Sequence, residues 1–502
     1  MISRLIAITA ATLGWTLFVL AYVWPAAALL VGVLGELRPP VGGFTFSSRQ
    51  LGLLWRSVWL SGAATMAAML LSLPAAYVVG QAGRLTRRPW LPGVLGAAVL
   101  CPPMVYAFGW ERVLPPSFPA YVRCLGVWAL WAWPISAALL GTGWARMGKQ
   151  AYEAALLEVS PATAFVRVVV PCLRRYGALS AILLFLLFFG DYGVPHACGL
   201  LVYATELLVW ASSSRHVMDT LWPALLPLAV TAGTLAMALP VWQAEDPAGA
   251  DLAAAAEGVG PSPVAIILML ATLAASWLVP MAALVAKLDS PAVVTEALHV
   301  YGGELAWSLS TSVVAGLVAV VMGFGVALSG ARWRTLALIW SVLLFALPGA
   351  LVGEALIAAY NHAAAGWLFD HWPIVVLGHV SRFGWIGLAA ATILTSRTAS
   401  ALVDQAQTDG AGRASLWRHV FLPLGWPTML ACIGAVTVLA LAEVPTTTLT
   451  RVPTFAPIAH VIIEKFHRFE DGMLISLSLC LVAAALPAAL PLWAAAKRWR
   501  QA

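Results

Sequence analysis

Two carboxylates, Asp191 and Glu443, stand out in a chain that is otherwise apolar for long stretches. Each closes an apolar run of roughly fifteen residues, which at about 1.5 Å per residue sets it near one edge of a hydrocarbon layer. Ionisable groups at that depth default to a functional reading. Their hard oxygen donors suit a hard cation, held weakly enough to leave again. The alternative is structural: an interfacial cap, or an ion pair that fixes the adjoining loop. Tyr192, Pro195 and Pro445 flank the two acids and join them as candidate lining of a translocation path. Arg382 and Glu354 also fall inside apolar runs; they pair with each other or line the path, and both readings stay open.

Other chemistry is poorly supplied. Eight of the nine histidines lie in loops or half-spans on one side, but none has HExxH spacing, so surface histidine is the simpler reading. The six cysteines are scattered and no CxxC occurs, which argues against a metal cage. We therefore expect no resident metal, with Asp191 and Glu443 at most transient ligands. The stretch Gly143-Trp144-Ala145-Arg146-Met147-Gly148-Lys149 imitates a phosphate loop. Gln150 stands where Ser or Thr would bind magnesium, and an apolar helix rather than a strand precedes it. No catalytic set and no bound cofactor are expected, and the chain does not read as an enzyme.

The elements that position these residues are membrane helices. The 502 residues are 61% hydrophobic and only 10% charged, with mean hydropathy +0.88. Soluble domains carry about a quarter charged residues. We expect an all-α polytopic protein of about twelve spans: 5–34, 53–80, 91–110, 122–145, 176–194, 221–242, 264–286, 305–330, 336–360, 373–395, 427–446 and 472–495. With the N-terminus inside, inner loops collect seventeen of the 28 basic residues, so both termini read as cytoplasmic. The same bias accounts for the net charge of +6 without nucleic acid. Cys124 and Cys198 then share the outer side, with a disulfide between them undecided.

The chain repeats itself. Ser57-Val58-Trp59-Leu60-Ser61 returns as Ser308-Leu309-Ser310-Thr311-Ser312, offset by 251 residues. Pro171 and Pro423 are offset by 252, as are Asp191 and Glu443. Two pseudo-symmetric six-span halves, 1–242 and 264–502, are expected. They are joined by a cytoplasmic linker at 243–263, rich in Ala, Gly, Pro and acids.

Each half carries one polar loop inside, at about 146–175 and 397–426. The first holds Glu153-Ala154-Ala155, then Val159 and Pro171; the second holds Asp404-Gln405-Ala406, then Gly410, Arg418, Leu422 and Pro423. A helix–turn–helix here could lie in a groove of a soluble partner. Leu156, Leu157 and Leu416 would bury, while Glu153, Asp404, Arg413 and Arg418 set register by charge.

These loops resemble the coupling loops of ATP-binding-cassette importer permeases, whose pattern is Glu-Ala-Ala, three residues, Gly, nine residues, Ile-x-Leu-Pro. The second loop fits with Asp404 for Glu, Gln405 for Ala and Val420 for Ile. The first has Val159 in place of the glycine, and its Pro171 arrives one residue early; Ser160-Pro161 can make the turn instead. Gly190-Asp191-Tyr192-Gly193-Val194-Pro195 and Ala442-Glu443-Val444-Pro445-Thr446-Thr447 are similar to segments of fused, two-half permeases of the ferric-iron type. The resemblance implies a bacterial inner-membrane importer subunit. It also implies two copies of a cytoplasmic ATPase holding ATP and Mg, and a periplasmic substrate-binding protein. Thiamine, polyamine, phosphonate and oxyanion permeases share this plan. A six-plus-six secondary transporter is the rival class; a membrane enzyme would need a catalytic cluster that is not found.

Overall fold

The computed structural model describes residues 2–36, 43–81, 95–96, 99, 101–115, 117–147, 149–213, 216–243, 262–397 and 400–488. The protein is all-α and polytopic: the described residues form helices joined by short turns, with no strand among them. Among the described residues eight helices are long and apolar enough to cross a membrane, and ten if each of two bent pairs is one span. The bent pairs are Ala331–Phe345 with Gly349–Tyr360, at 110°, and Trp372–Phe383 with Trp385–Thr395, at 50°. The expected spans 91–110 and 472–495 are described only in part, as Pro103–Glu111 and Asp471–Ala485. The expected linker lies outside the described residues from 244 to 261.

Proline explains where these helices deform. A proline lacks the N–H that would bond the carbonyl four residues back, and its ring collides with that carbonyl. The four π turns described, Val19–Val23, Phe165–Val169, Ala274–Leu278 and Trp417–Phe421, each stop two residues before a proline: Pro25, Pro171, Pro280 and Pro423. In each, the N–H of the residue before the proline reaches the first carbonyl of the turn, five residues back. The wider turn relieves the clash without ending the helix. The carbonyls it loosens still need donors where no water can serve. At the first turn Ser381 Oγ donates to Ala21 O at 2.6 Å and Tyr360 Oη to Leu20 O at 2.7 Å.

Two compact units divide the chain, and each draws on separated stretches. The first comprises 1–50, 204–227 and 288–502. Its axis is the helix Pro291–Ala327, against which Ile2–Phe18, Trp385–Arg397 and Leu422–Leu441 pack. Glycines make these crossings close. A Cβ on Gly14 would stand 2.7 Å from Gly325 Cα, and one on Gly316 would stand 2.8 Å from the Ile433 carbonyl. Gly323 and Gly387 interlock so tightly that a Cβ on either would overlap backbone of the facing helix. Small residues of this kind let membrane helices gain dispersion contact where no hydrophobic effect drives association.

The second unit comprises 51–203 and 228–287. Ala120–Met147 packs on Val170–Phe189, and Val279–Ala286 on Pro103–Glu111. The latter contact depends on Gly109, whose missing Cβ makes room for Pro280. Ala75, Val78, Leu95, Trp133, Ala137 and Met269 form a buried core cluster in this unit.

Glycine-to-alanine exchanges separate packing from propensity. Gly302→Ala, with nothing within 4 Å of the new Cβ, is expected to hold or raise the thermal midpoint in detergent. Gly323→Ala in the same helix is expected to cost about 1–3 kcal/mol by overpacking, despite the better helix former. Equal midpoints for the two variants would refute the close crossing.

Candidate functional site

Both polar loops fold as helix–turn–helix. In the first, Lys149–Glu158 ends where Val159 N–H bonds Ala155 O at 2.9 Å. Ser160 then caps the next helix, Pro161–Ala164, taking Thr163 N–H at 3.4 Å and sharing a 2.9 Å hydrogen bond with Thr163 Oγ1. Serine before proline is a favoured helix start. In the second, Ser400–Thr408 ends in a four-residue turn. Gly410 has φ +81°, its N–H bonds Gln407 O at 2.9 Å, and Ala411 N–H bonds Ala406 O at 2.8 Å. That pair of bonds is a Schellman motif, which places a glycine in the left-handed region. The first loop closes in two residues with a serine cap, the second in four with a glycine.

The second short helix of each loop runs through its π turn into a long apolar helix, Val170–Phe189 or Leu422–Leu441. Those apolar helices therefore begin inside the loops, about ten residues ahead of the expected span starts at 176 and 427. Pro171 and Pro423, both exposed, set the π turns. An aromatic opens each turn and anchors it. Trp417 meets Phe324 edge-on at 5.5 Å and Phe421 at 4.9 Å. Phe165 lies 6.2 Å from Trp144, which meets Tyr77 edge-on at 5.2 Å.

Glu153, Ala154, Asp404, Gln405, Gly410 and Arg418 are exposed, and Ala155, Val159 and Ala406 half-buried. Leu156 is exposed and Leu157 is 88% exposed. Leu416, expected on the docking face, is instead buried within the chain; its short helix Arg413–Leu416 packs against Ile2–Phe18. The Arg413 side chain lies outside the described residues.

The two acids each cap a short helix. Asp191 Oδ1 takes Gly193 N–H at 2.9 Å and Oδ2 takes Val194 N–H at 3.2 Å, at the start of Gly193–Ala197. Trp128 Nε1 donates to Oδ2 at 2.7 Å. Tyr192 and Pro195 are buried beside it, with Tyr192 stacked on His196 at 4.9 Å. Glu443 Oε1 takes Thr446 N–H at 3.1 Å and Thr446 Oγ1–H at 2.8 Å, at the start of Pro445–Leu449. Its counter-charge is Arg382, whose Nε lies 3.6 Å away, with both side chains 7% exposed.

Arg382 also closes the break in the 110° pair. Its Nη1 donates to Phe345 O at 2.8 Å and to Leu347 O at 2.6 Å. Leu347 precedes Pro348, and the single span expected over 336–360 is broken there. A proline can be accommodated because a neighbour supplies the donor, yet the axis still turns. The same solution appears at Pro102: Trp131 Nε1 donates to Cys101 O at 2.8 Å. Pro102 and Pro348 share an extended backbone, with ψ 132° and 135°. Trp131 and Arg382 are 251 residues apart, the offset of the Ser57 and Ser308 segments. Those serines recur as well: Ser57 Oγ takes Tyr203 N–H and Ser308 Oγ takes Ile458 N–H, each at 2.9 Å and each at a helix start.

Sequence reasoning missed Trp128 and Trp131, and it gave no sign that Thr446 joins Glu443 to Gly349, whose carbonyl accepts Thr446 Oγ1–H at 3.0 Å. The repeat offset was the available signal for the tryptophans. Of the two roles left open for Arg382, the structure gives a pairing, with Glu443 rather than Glu354. His379, read as a surface histidine, is buried with Nδ1 lacking a hydrogen-bond partner. Among the described residues no three of His, Cys, Asp and Glu gather as a metal site. The chain matches no family model, no curated protein and no solved structure. Its own geometry therefore carries the functional argument.

Removing Arg382 tests the cluster. Arg382→Met leaves Glu443 buried without its counter-charge and is expected to cost about 3–5 kcal/mol. Arg382→Met with Glu443→Gln is expected to recover part of that loss in a detergent unfolding cycle; strict additivity would refute the pairing. The pH response is a second check. His460 shares a 2.9 Å hydrogen bond with Thr447 Oγ1, and burial, reinforced by Arg451 and opposed by Glu443, pushes it down to about 4. Below about 6.5 the unfolded chain takes a proton that the folded chain refuses, so stability should fall as pH drops from 6.5 toward 4. His460→Gln should flatten that window; an unchanged pH profile would count against a buried neutral imidazole.

Proposed function

We propose that this chain is the fused permease subunit of a bacterial ATP-binding-cassette importer, multi-pass in the inner membrane with both termini cytoplasmic. One observation carries the reading: two exposed helix–turn–helix loops, each continuous through a proline-set π turn with an apolar helix. A push on either loop is transmitted along a helix rather than absorbed by a flexible joint. The repeated serine caps and pre-proline donors support two pseudo-symmetric halves of six spans each, with 243–263 as linker. Two copies of a cytoplasmic ATPase dock on the loops, and ATP and Mg belong to that partner. A periplasmic binding protein delivers substrate to the opposite face. Nucleotide-driven closure of the ATPases then shifts a two-state permease between inward and outward access.

Ferric iron is the substrate we favour, on the strength of the Asp191 and Glu443 segments. Thiamine, a polyamine, a phosphonate or an oxyanion are the alternatives within the class. A second class has one observation in its favour. Secondary transporters use broken helices with ionisable groups at the break, and Arg382 with Glu443 sits at such a break. ATP dependence separates the two.

Purification in mild detergent with co-expressed neighbours is expected to bring down a soluble ATPase. Transport that persists without ATP, with no ATPase bound, would overturn the importer reading. Within the class, Asp404→Lys and Arg418→Glu should uncouple ATP hydrolysis from uptake, and Leu157→Asp should weaken ATPase binding by tenfold or more, with helix content unchanged. Normal coupling in all three would remove the loops from the docking surface.

A further inference from the structure

We propose that Cys124 and Cys198 close an intramolecular disulfide that staples the short helix Gly193–Ala197 to the long helix Ala120–Met147. Both cysteines are free, buried and within the second unit. Cys124 lies in the second turn of the long helix, and Cys198 is the residue that ends the short one, its N–H bonding Val194 O at 3.0 Å. Cys124 and Trp128 lie one turn apart on the long helix, so Cys124 is on the face that meets the segment 191–198, and its side chain neighbours that of Cys198. Neighbouring bonds hold them there. Arg123 Nη2 donates to the Cys198 carbonyl at 3.3 Å, while its Nη1 pairs with Glu111 at 3.3 Å. One turn further along the long helix, Trp128 holds Asp191 at the other end of the short helix. The short helix is thus pinned at its start by a carboxylate and at its end by a thiol pair. The remaining cysteines, 101, 172, 432 and 480, have no cysteine partner among the described contacts.

The chemistry needs a disulfide oxidant and balances with one. A thiolate of the pair attacks a sulfur of oxidised glutathione, forms a mixed disulfide and releases one glutathione thiol. The second cysteine displaces the other glutathione, so one disulfide is consumed, one forms, and both cysteine protons leave on the released thiols. Both thiols are buried in the folded chain, so exchange proceeds through local opening of the short helix, whose following residue Gly199 is exposed. The basic-residue bias assigns both cysteines to the outer side, where oxidants persist, but the bond itself does not depend on the transport reading.

The test uses the full chain, reduced in mild detergent and then treated with oxidised glutathione. Free thiols are blocked in denaturant with a light maleimide; the sample is reduced and labelled with a heavy one. Peptide mass spectrometry is expected to find the heavy label on Cys124 and Cys198, the light label on the other four, and a linked 124–198 peptide before reduction. The thermal midpoint should rise on oxidation, return with dithiothreitol, and stay put in Cys198→Ser. Light label on both cysteines of a folded, helical sample, or Cys124 linked to any other cysteine, would overturn the pairing. Since the labelling is read on the unmutated chain, a variant that fails to fold does not blunt the result.

Discussion

A carbonyl that proline deprives of its donor has nowhere to turn inside a bilayer. Water is absent, and each unsatisfied polar backbone group costs several kcal/mol. The molecule carries 32 prolines, many within apolar helices, so this constraint recurs along the whole chain. Its answers differ in kind. Where the proline follows a π turn the helix survives, widened, and side chains such as Ser381 cover the loosened carbonyls. Where the backbone opens fully, at Pro102 and Pro348, a donor from another helix bridges the gap. Packing, burial of polar side chains and the shape of the candidate site all follow from which answer each proline receives.

The two bridging donors differ in charge, and that difference propagates. Trp131 is a neutral indole and asks for nothing further. Arg382 brings a full charge into a buried setting, which a protein tolerates only with a counter-ion and complete hydrogen bonding. Glu443 meets that need while also capping Pro445–Leu449, and Phe345 and Phe383 present their rings within 6 Å of the guanidinium. Asp191 faces a tryptophan and is only half-buried. Two acids in equivalent sequence positions thus sit in unlike surroundings, one buried in an ion pair and one half-buried against an indole.

Much of this was legible in the sequence, for a physical reason. Apolar runs of bilayer length have one stable conformation in lipid, so helices such as 122–145 and 264–286 were found close to their observed bounds. Pro171 and Pro423 are visible in the sequence as a repeat at a 252-residue offset, but the π turns that precede them are not. What escaped were contacts set by tertiary approach: the burial of Leu416, the partner of Arg382, and the carbonyls reached by Trp131. Hydropathy reports which solvent a residue prefers, not which neighbour it meets. The glycine of the second loop was recognised as a pattern element; its reason, a left-handed residue closing a Schellman turn, appeared only with the backbone.

The crossing of Gly14 and Gly325 bears on how the molecule is made. About 300 residues of chain separate the two glycines, and synthesis runs from the N-terminus at about 5–20 residues per second. The first helix therefore enters the membrane tens of seconds before its partner exists. During that interval its glycine face meets only lipid tails, and the Ala21 carbonyl waits for a serine not yet translated. Assembly of the first unit is thus a late event in biogenesis, since Leu422–Leu441, which packs on its axis helix, is made later still.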